Sequence, residues 1–216
     1  MLAACPGPPA PLVPVPLAPA DHDSALAWTR ATLPATRIVI RFRWRYEDGR
    51  VKYAGRGSAR IAPPDSLRFD YAGPFGLGSG AAVVIGDSVA WADPAANFRS
   101  LVPAIPMLWA SLGMVPPPGA DAAVFGLADG HRTIWRFAAP GGTLDYVAVL
   151  GAERTLEAEW RRDGRAVARS RTRLDLQARP IGARIDFPEA SARFELTVVG
   201  VDTAAVIPPA LWRSRR

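Results

Sequence analysis

Side chains able to do covalent chemistry are scarce in this 216-residue chain. Its histidines are His22 and His131 alone. His22 sits between Asp21 and Asp23, where the composition is that of a helix cap, and His131 closes an Asp129-Gly130-His131 turn. There is no Gly-x-Ser-x-Gly elbow, no His-x-x-x-His pair and no P-loop. Gly76-Leu77-Gly78-Ser79-Gly80 follows a strand, but a strand comes after it, so no helix N-terminus is offered to a phosphate. The single cysteine, Cys5, excludes an intrachain disulfide and a zinc site built on several cysteines. These residues predict no enzyme, no cofactor and no metal. Two other chemistries remain. Cys5 is a lone thiol close to Met1, and the glycine-rich loop Gly73–Gly80 holds two large apolar residues, Phe75 and Leu77, at its tip.

The elements that must position these groups are mostly strands. Arg37–Tyr46 alternates with period two, placing Ile38, Ile40, Phe42, Trp44 and Tyr46 on one face and arginines with Val39 on the other. Asp48-Gly49 is expected to turn the chain by supplying a positive φ. Val51–Ile61 returns, and Ser66–Ala72 follows Pro63-Pro64-Asp65. Further strands are expected at Gly80–Ile85, Ser88–Ala92, Thr133–Ala138, Leu144–Leu150, Thr155–Arg161, Arg165–Leu176, Ala183–Phe187 and Ala192–Gly200. Asp21–Thr32 reads as a first helix, capped by Asp21 or Asp23 and stopped by Pro34. Asn97–Val102 reads as a turn or two of helix, and Met107–Leu112, entered through Pro106, as a helix apolar nearly all round that must be covered.

The fold class that follows is mainly β. It is a strongly curved antiparallel sheet of about ten or eleven strands, an incomplete half-barrel, with small helices lidding its concave apolar face. One core suffices for a chain of this length, which is 49% hydrophobic and 21% charged. No run of about 18 apolar residues exists. The net charge is +6, and every basic residue except Lys52 is arginine. Arginines at strand spacing are a solvated face, and nucleic acid is not expected as a partner.

Leu2-Ala3-Ala4-Cys5 resembles the lipobox of bacterial lipoproteins, where a peptidase cuts before a cysteine whose thiol is then acylated. The basic and apolar parts of such a signal are expected upstream of Met1. Residues 1–5 are thus the end of a signal peptide, residues 6–20, with seven prolines, a stiff spacer unable to join a helix or ladder, residues 21–207 the folded domain and residues 208–216 a basic tail.

Leu67–Gly76 (Leu-Arg-Phe-Asp-Tyr-Ala-Gly-Pro-Phe-Gly), the proline-bounded helix Ile105–Met114 and the lipobox together resemble the LolA/LolB superfamily of lipoprotein carriers and receptors, closer to the LolB-like outer-membrane branch. The resemblance implies an open half-barrel with an apolar cavity. By position it assigns the protruding membrane-insertion loop to Phe75, with Leu77 second, although the family usually has leucine there and fewer glycines. Ile40, Phe42, Trp44, Phe69, Tyr71, Trp91, Leu108, Trp109, Trp135 and Phe137 are the expected acyl-chain lining. The function implied is a monomeric, lipid-anchored acceptor of acylated lipoproteins on the periplasmic face of the outer membrane, supplied by a soluble periplasmic carrier. A lipid or glycolipid carrier or sensor on the same fold, and a structural envelope lipoprotein, are the alternatives.

Overall fold

A computed structural model of the chain describes residues 10–14, 16–73, 78–95, 98 and 104–213. Among them are β1 (Ala18–Pro19), α1 (His22–Thr32), β2 (Ile38–Glu47), β3 (Lys52–Ala62), β4 (Ser66–Ala72), β5 (Gly80–Ile85), β6 (Ser88–Asp93) and α2 (Ile105–Ser111). The second half comprises β7 (Ala123–Asp129), β8 (Arg132–Ala139), β9 (Gly142–Val149), β10 (Arg154–Arg162), β11 (Arg165–Leu174), β12 (Pro180–Phe187) and β13 (Ala192–Asp202). All thirteen strands form one antiparallel sheet, ordered β1-β7-β8-β9-β10-β11-β12-β13-β2-β3-β4-β5-β6 and not closed into a barrel. The chain thus lays β1 at one edge, crosses to the middle with β2, runs to the far edge at β6 and returns beside β1 with β7, filling inward to β13.

The period-two pattern of β2 determines which face is inside. Ile38, Ile40, Phe42 and Trp44 are buried, while Arg41, Arg43 and Arg45 are exposed. One apolar cluster joins inner-face residues from β2 through β5 with those of β8 through β13, so the sheet curls around its own core. Aromatic rings need space to lie flat on a strand. Gly55 and Gly57 of β3 provide it: a Cβ on Gly55 would stand 2.7 Å from the Trp44 ring, and one on Gly57 would stand 2.5 Å from the Phe42 ring.

The outer face is ionic. Register places Arg136, Asp145, Glu159, Arg169, Asp186, Arg193, Glu47 and Lys52 side by side across eight strands. Opposite charges side by side on adjacent strands attract. Arg136 bonds Asp145 at 2.6 Å, Arg161 and Arg169 share the fully buried Glu159, and Lys52 reaches Glu47 at 2.8 Å.

Several expectations are corrected. The proline-rich segment does enter a ladder, since Ala18 and Pro19 pair with Gly126 and Phe125 at the sheet edge, where a missing amide can face away from the ladder. Val13 is buried against Ile134 and Val147, Leu12 N–H donates to Glu159 Oε1 (3.3 Å) and Arg136 donates to the Val13 carbonyl (3.3 Å). These contacts precede the expected domain start at Asp21. The expected tail from residue 208 is likewise held as far as Trp212, whose carbonyl accepts from Trp91 Nε1 (3.1 Å). Gly49 does not adopt a left-handed φ; the Asp48 carboxylate makes that turn by accepting from the amides of Arg50 (2.7 Å) and Val51 (2.8 Å), which holds its pKa below the usual carboxylate value. The sequence reading also misses β7.

Gly57→Ala is expected to cost about 1–3 kcal/mol by overpacking. Thermal unfolding should record a fall in Tm of several degrees, and an unchanged Tm would mean that both the Phe42 ring and the Asp70 carbonyl, 2.7 Å from the added Cβ, have room to move.

Candidate functional site

Two short helices cover the inner face. Asp21 caps α1, accepting from the Ser24 amide at 2.8 Å, and Leu33 ends it. Trp28 of α1 packs against Trp135 and Tyr146 with its ring tilted to theirs, the centroids 6.0 and 6.1 Å apart. Its two ends are tied to the segment after α2: the Val115 amide donates to Thr32 Oγ1 (2.9 Å) and His22 Nε2 to the Gly119 carbonyl (3.3 Å). α2 lies against β10, β11 and β12 and is pinned on two sides. Trp109 Nε1 donates to the Gly86 carbonyl in the β5–β6 turn (2.7 Å), and Thr172 Oγ1 of β11 donates to the Ala110 carbonyl (2.7 Å). Six of its seven residues are buried, as expected for a helix apolar nearly all round.

Nine of the ten expected lining residues come together under this cover. Ile40, Phe42, Trp44, Phe69, Tyr71, Leu108, Trp109, Trp135 and Phe137 are all buried in one cluster, with Phe42 stacked on Phe69 and Trp44 on Phe194. With both helices in place their side chains fill the inner face. Trp91 lies elsewhere. A bulge between Val83 and Val84 pairs Val84 with Val89 but Val83 with Trp91, which turns Trp91 to the outer face. There the guanidinium of Arg68 stacks on its ring at 5.3 Å. Cys5, Phe75, Leu77 and most of the expected Asn97–Val102 helix lie outside the described residues.

Open space occurs at the edge of the lid. A cleft of about 390 Å³ runs between the start of α2, the loop Pro116–Gly119 and the ends of β8, β9 and β10. Ile105, Pro106, Pro118, Phe137, Leu144, Tyr146 and Trp160 give it apolar walls, and Arg162, stacked on Trp160 at 4.7 Å, gives it a charged rim. Of the expected lining only Phe137 reaches this cleft. Leu144 and Tyr146 alternate inward along β9, a signal present in the sequence, but which inward residues border the cleft depends on where the lid ends.

The cleft carries binding chemistry. Tyr146 OH, in its wall, is buried with no hydrogen-bond partner among the described residues, and burial pushes its pKa up. Among the described residues no group of three or more His, Cys, Asp or Glu is placed to hold a metal. No described helix is long and apolar enough to cross a membrane.

No protein-family model matches the sequence, and no curated protein matches it. Solved structures share its fold. A LolA superfamily protein from Nitrosomonas europaea superposes with a TM-score of 0.59 at 10% identity, over 89% of this chain and 97% of that one. A domain assigned to outer membrane lipoprotein sorting from Vibrio parahaemolyticus superposes with a TM-score of 0.57 at 9% identity, over 88% and 97%. The fold is therefore LolA-like, the open half-barrel that the resemblance to the superfamily implied, and these superpositions do not single out the LolB-like branch.

Tyr146→Phe removes a hydroxyl that has no partner and keeps the ring. Stability should stay level or rise by up to about 1 kcal/mol, whereas Tyr146→Ala should lose about 3–5 kcal/mol. A raised folded pKa leaves stability intact below the unfolded value near 10 and erodes it as pH climbs above that value toward the folded pKa. Denaturant melts across that range should therefore fall less steeply for Tyr146→Phe than for the parent chain.

Proposed function

We propose that this protein binds acylated proteins through their acyl chains, taking them in at the lid-edge cleft and seating them on the inner face as α1 and α2 lift. The observation that carries this reading is the way the apolar face is covered. An open sheet holds its apolar side shut with two short helices, tied by a handful of hydrogen bonds, and an apolar cleft opens where those helices end. A cleft of about 390 Å³ is at the small end for a ligand pocket, so it suits the entry of a chain more than the storage of several. Storage needs the space that the lid helices occupy. The LolA-like fold supports the same reading.

The finer parts of the proposal extend beyond the cleft. Cys5 is the acylated anchor, a soluble periplasmic carrier supplies the cargo, and Phe75 with Leu77 helps pass it into the outer membrane. No covalent step is required, because acyl chains partition between apolar surroundings. A second reading, an acyl-lipid carrier, is favoured by Arg162 at the cleft rim, which suits an anionic headgroup.

The full chain should be titrated with a triacylated lipopeptide and with the same peptide lacking acyl chains, followed by tryptophan fluorescence. Saturable binding of the acylated form alone is expected, weakened at least about tenfold by Leu144→Asp, which puts a charge in the cleft wall. Thr172→Val releases one tie on α2 and should raise apparent affinity about two- to tenfold, since a hydrogen bond is worth about 0.5–1.5 kcal/mol and a looser lid makes the open state more populated. Equal binding of both peptides would refute the proposal, and an acylated lipid that outcompetes the lipopeptide would favour the second reading.

A further inference from the structure

The ionic rows of the outer face are unequal. The row from Arg136 to Lys52 balances its charges. The next row, Glu157, Arg171, Arg184, Glu195 and Arg45, still contains two carboxylates. The row after that reads Arg173, Gly182, Thr197, Arg43, Arg56 and Ala72, and has none. Within it Arg43 and Arg56 stand directly opposite each other on β2 and β3. Both are exposed, and neither is ion-paired among the described residues. Like charges facing each other across a ladder destabilise it. Other like pairs face each other on this side, Asp145 with Glu159 and Arg171 with Arg184, but each of those four has an oppositely charged partner. The Arg43–Arg56 pair has none among the described residues, and a local rule broken without such compensation points to a place where a protein meets a ligand.

These two guanidiniums face a groove of about 760 Å³ between β2, β3 and the C-terminal segment. Arg41 and Arg60 line it as well, but each already has a carboxylate, Asp202 at 4.0 Å and Asp70 at 2.5 Å. The groove is also flanked by exposed aliphatic side chains. Val199 is the extra residue of a bulge in β13, where the register jumps from Val198–Phe42 to Gly200–Arg41, and it is 58% exposed. Val206 is 90% exposed. The groove therefore combines cations that lack counter-charges with apolar side chains held out into solvent.

We infer that this groove is a docking surface for an anionic phospholipid bilayer, with Arg43 and Arg56 binding headgroup phosphates and Val199 and Val206 entering the boundary between headgroups and acyl chains. Guanidinium forks match phosphate oxygens two at a time. Basic residues near an anionic leaflet each strengthen attachment, and apolar side chains beside them add the area term that a free phosphate cannot use. A single-stranded nucleic acid would instead call for aromatic platforms between the cations, and aliphatic valines occupy those places. This surface lies on the face opposite the lid, so the inference stands apart from the cargo proposed above.

The test uses the full chain without acylation and flotation with vesicles of phosphatidylcholine alone or mixed with phosphatidylglycerol. Binding is expected only to the mixed vesicles. The pair Arg43→Gln with Arg56→Gln should weaken it about tenfold or more, while Arg132→Gln with Arg165→Gln, which removes the same net charge elsewhere, should change it by less than about twofold. Val206→Ser should weaken it severalfold, and the Arg43/Arg56 variant should melt no lower than the parent because a repulsive pair is gone. Equal losses for the two double variants would reduce the effect to net charge and overturn the assignment. So would a melting shift with inorganic phosphate that needs Arg43 and Arg56 in a protein that ignores the vesicles, or tighter binding to single-stranded DNA than to the mixed vesicles. Lipopeptide uptake that survives in the Arg43/Arg56 variant separates this surface from the cleft.

Discussion

A sheet that curls without closing has two free edges and an inner face that its own strands cannot cover. In a closed small barrel the inward side chains meet across the axis and fill it. Here β1 and β6 end the sheet on opposite sides, and the apolar inner residues have water as the alternative to a lid. That condition places α1 and α2 where they are. It accounts for Trp28 lying on Trp135 and Tyr146, and for a helix as apolar as Ile105–Ser111 being stable at all. It also explains why the ties on the helices matter. Trp109 to Gly86 and Thr172 to Ala110 are single hydrogen bonds, each small beside the apolar area the lid covers. The lid is held chiefly by burial, and an acyl chain could provide burial in its place.

The outer face solves a different problem. Asp145 and Glu159 are fully buried there, a costly arrangement for a carboxylate unless guanidiniums surround it. Arg136 serves the first and Arg161 with Arg169 the second, while the segment around Leu12 and Val13 seals them from solvent. Buried ion networks of this sort add less to stability than to uniqueness, because a register slip of one residue would strand both carboxylates among apolar neighbours.

Much of this was legible in the sequence where local pattern and tertiary fate coincide. The alternation in β2 named the inner face, and the flat spacing of strands with glycine turns gave an antiparallel sheet. The inner aromatics Phe42, Trp44, Phe69 and Trp135 followed from the same alternation. Trp91 did not, because a single bulged residue in β6 reverses a side chain's face and leaves no mark on composition. β7 escaped because an edge strand paired on one side with only two residues has little inside–outside contrast to display. The docked proline segment escaped because its partners, Glu159, Arg136 and Arg169, are more than a hundred positions away. The cleft was the least legible feature, since it depends on where two covering helices stop.

The docking of that segment also determines how the domain would be oriented on a leash. The Ala10 carbonyl accepts from Arg169 of β11, so the described chain begins on the outer face. The interval from Cys5 to Ala10 can span at most about 18 Å. A lipid on Cys5 would therefore leave little slack. The outer face would lie close along the bilayer, and the lid would point away from it, toward arriving molecules.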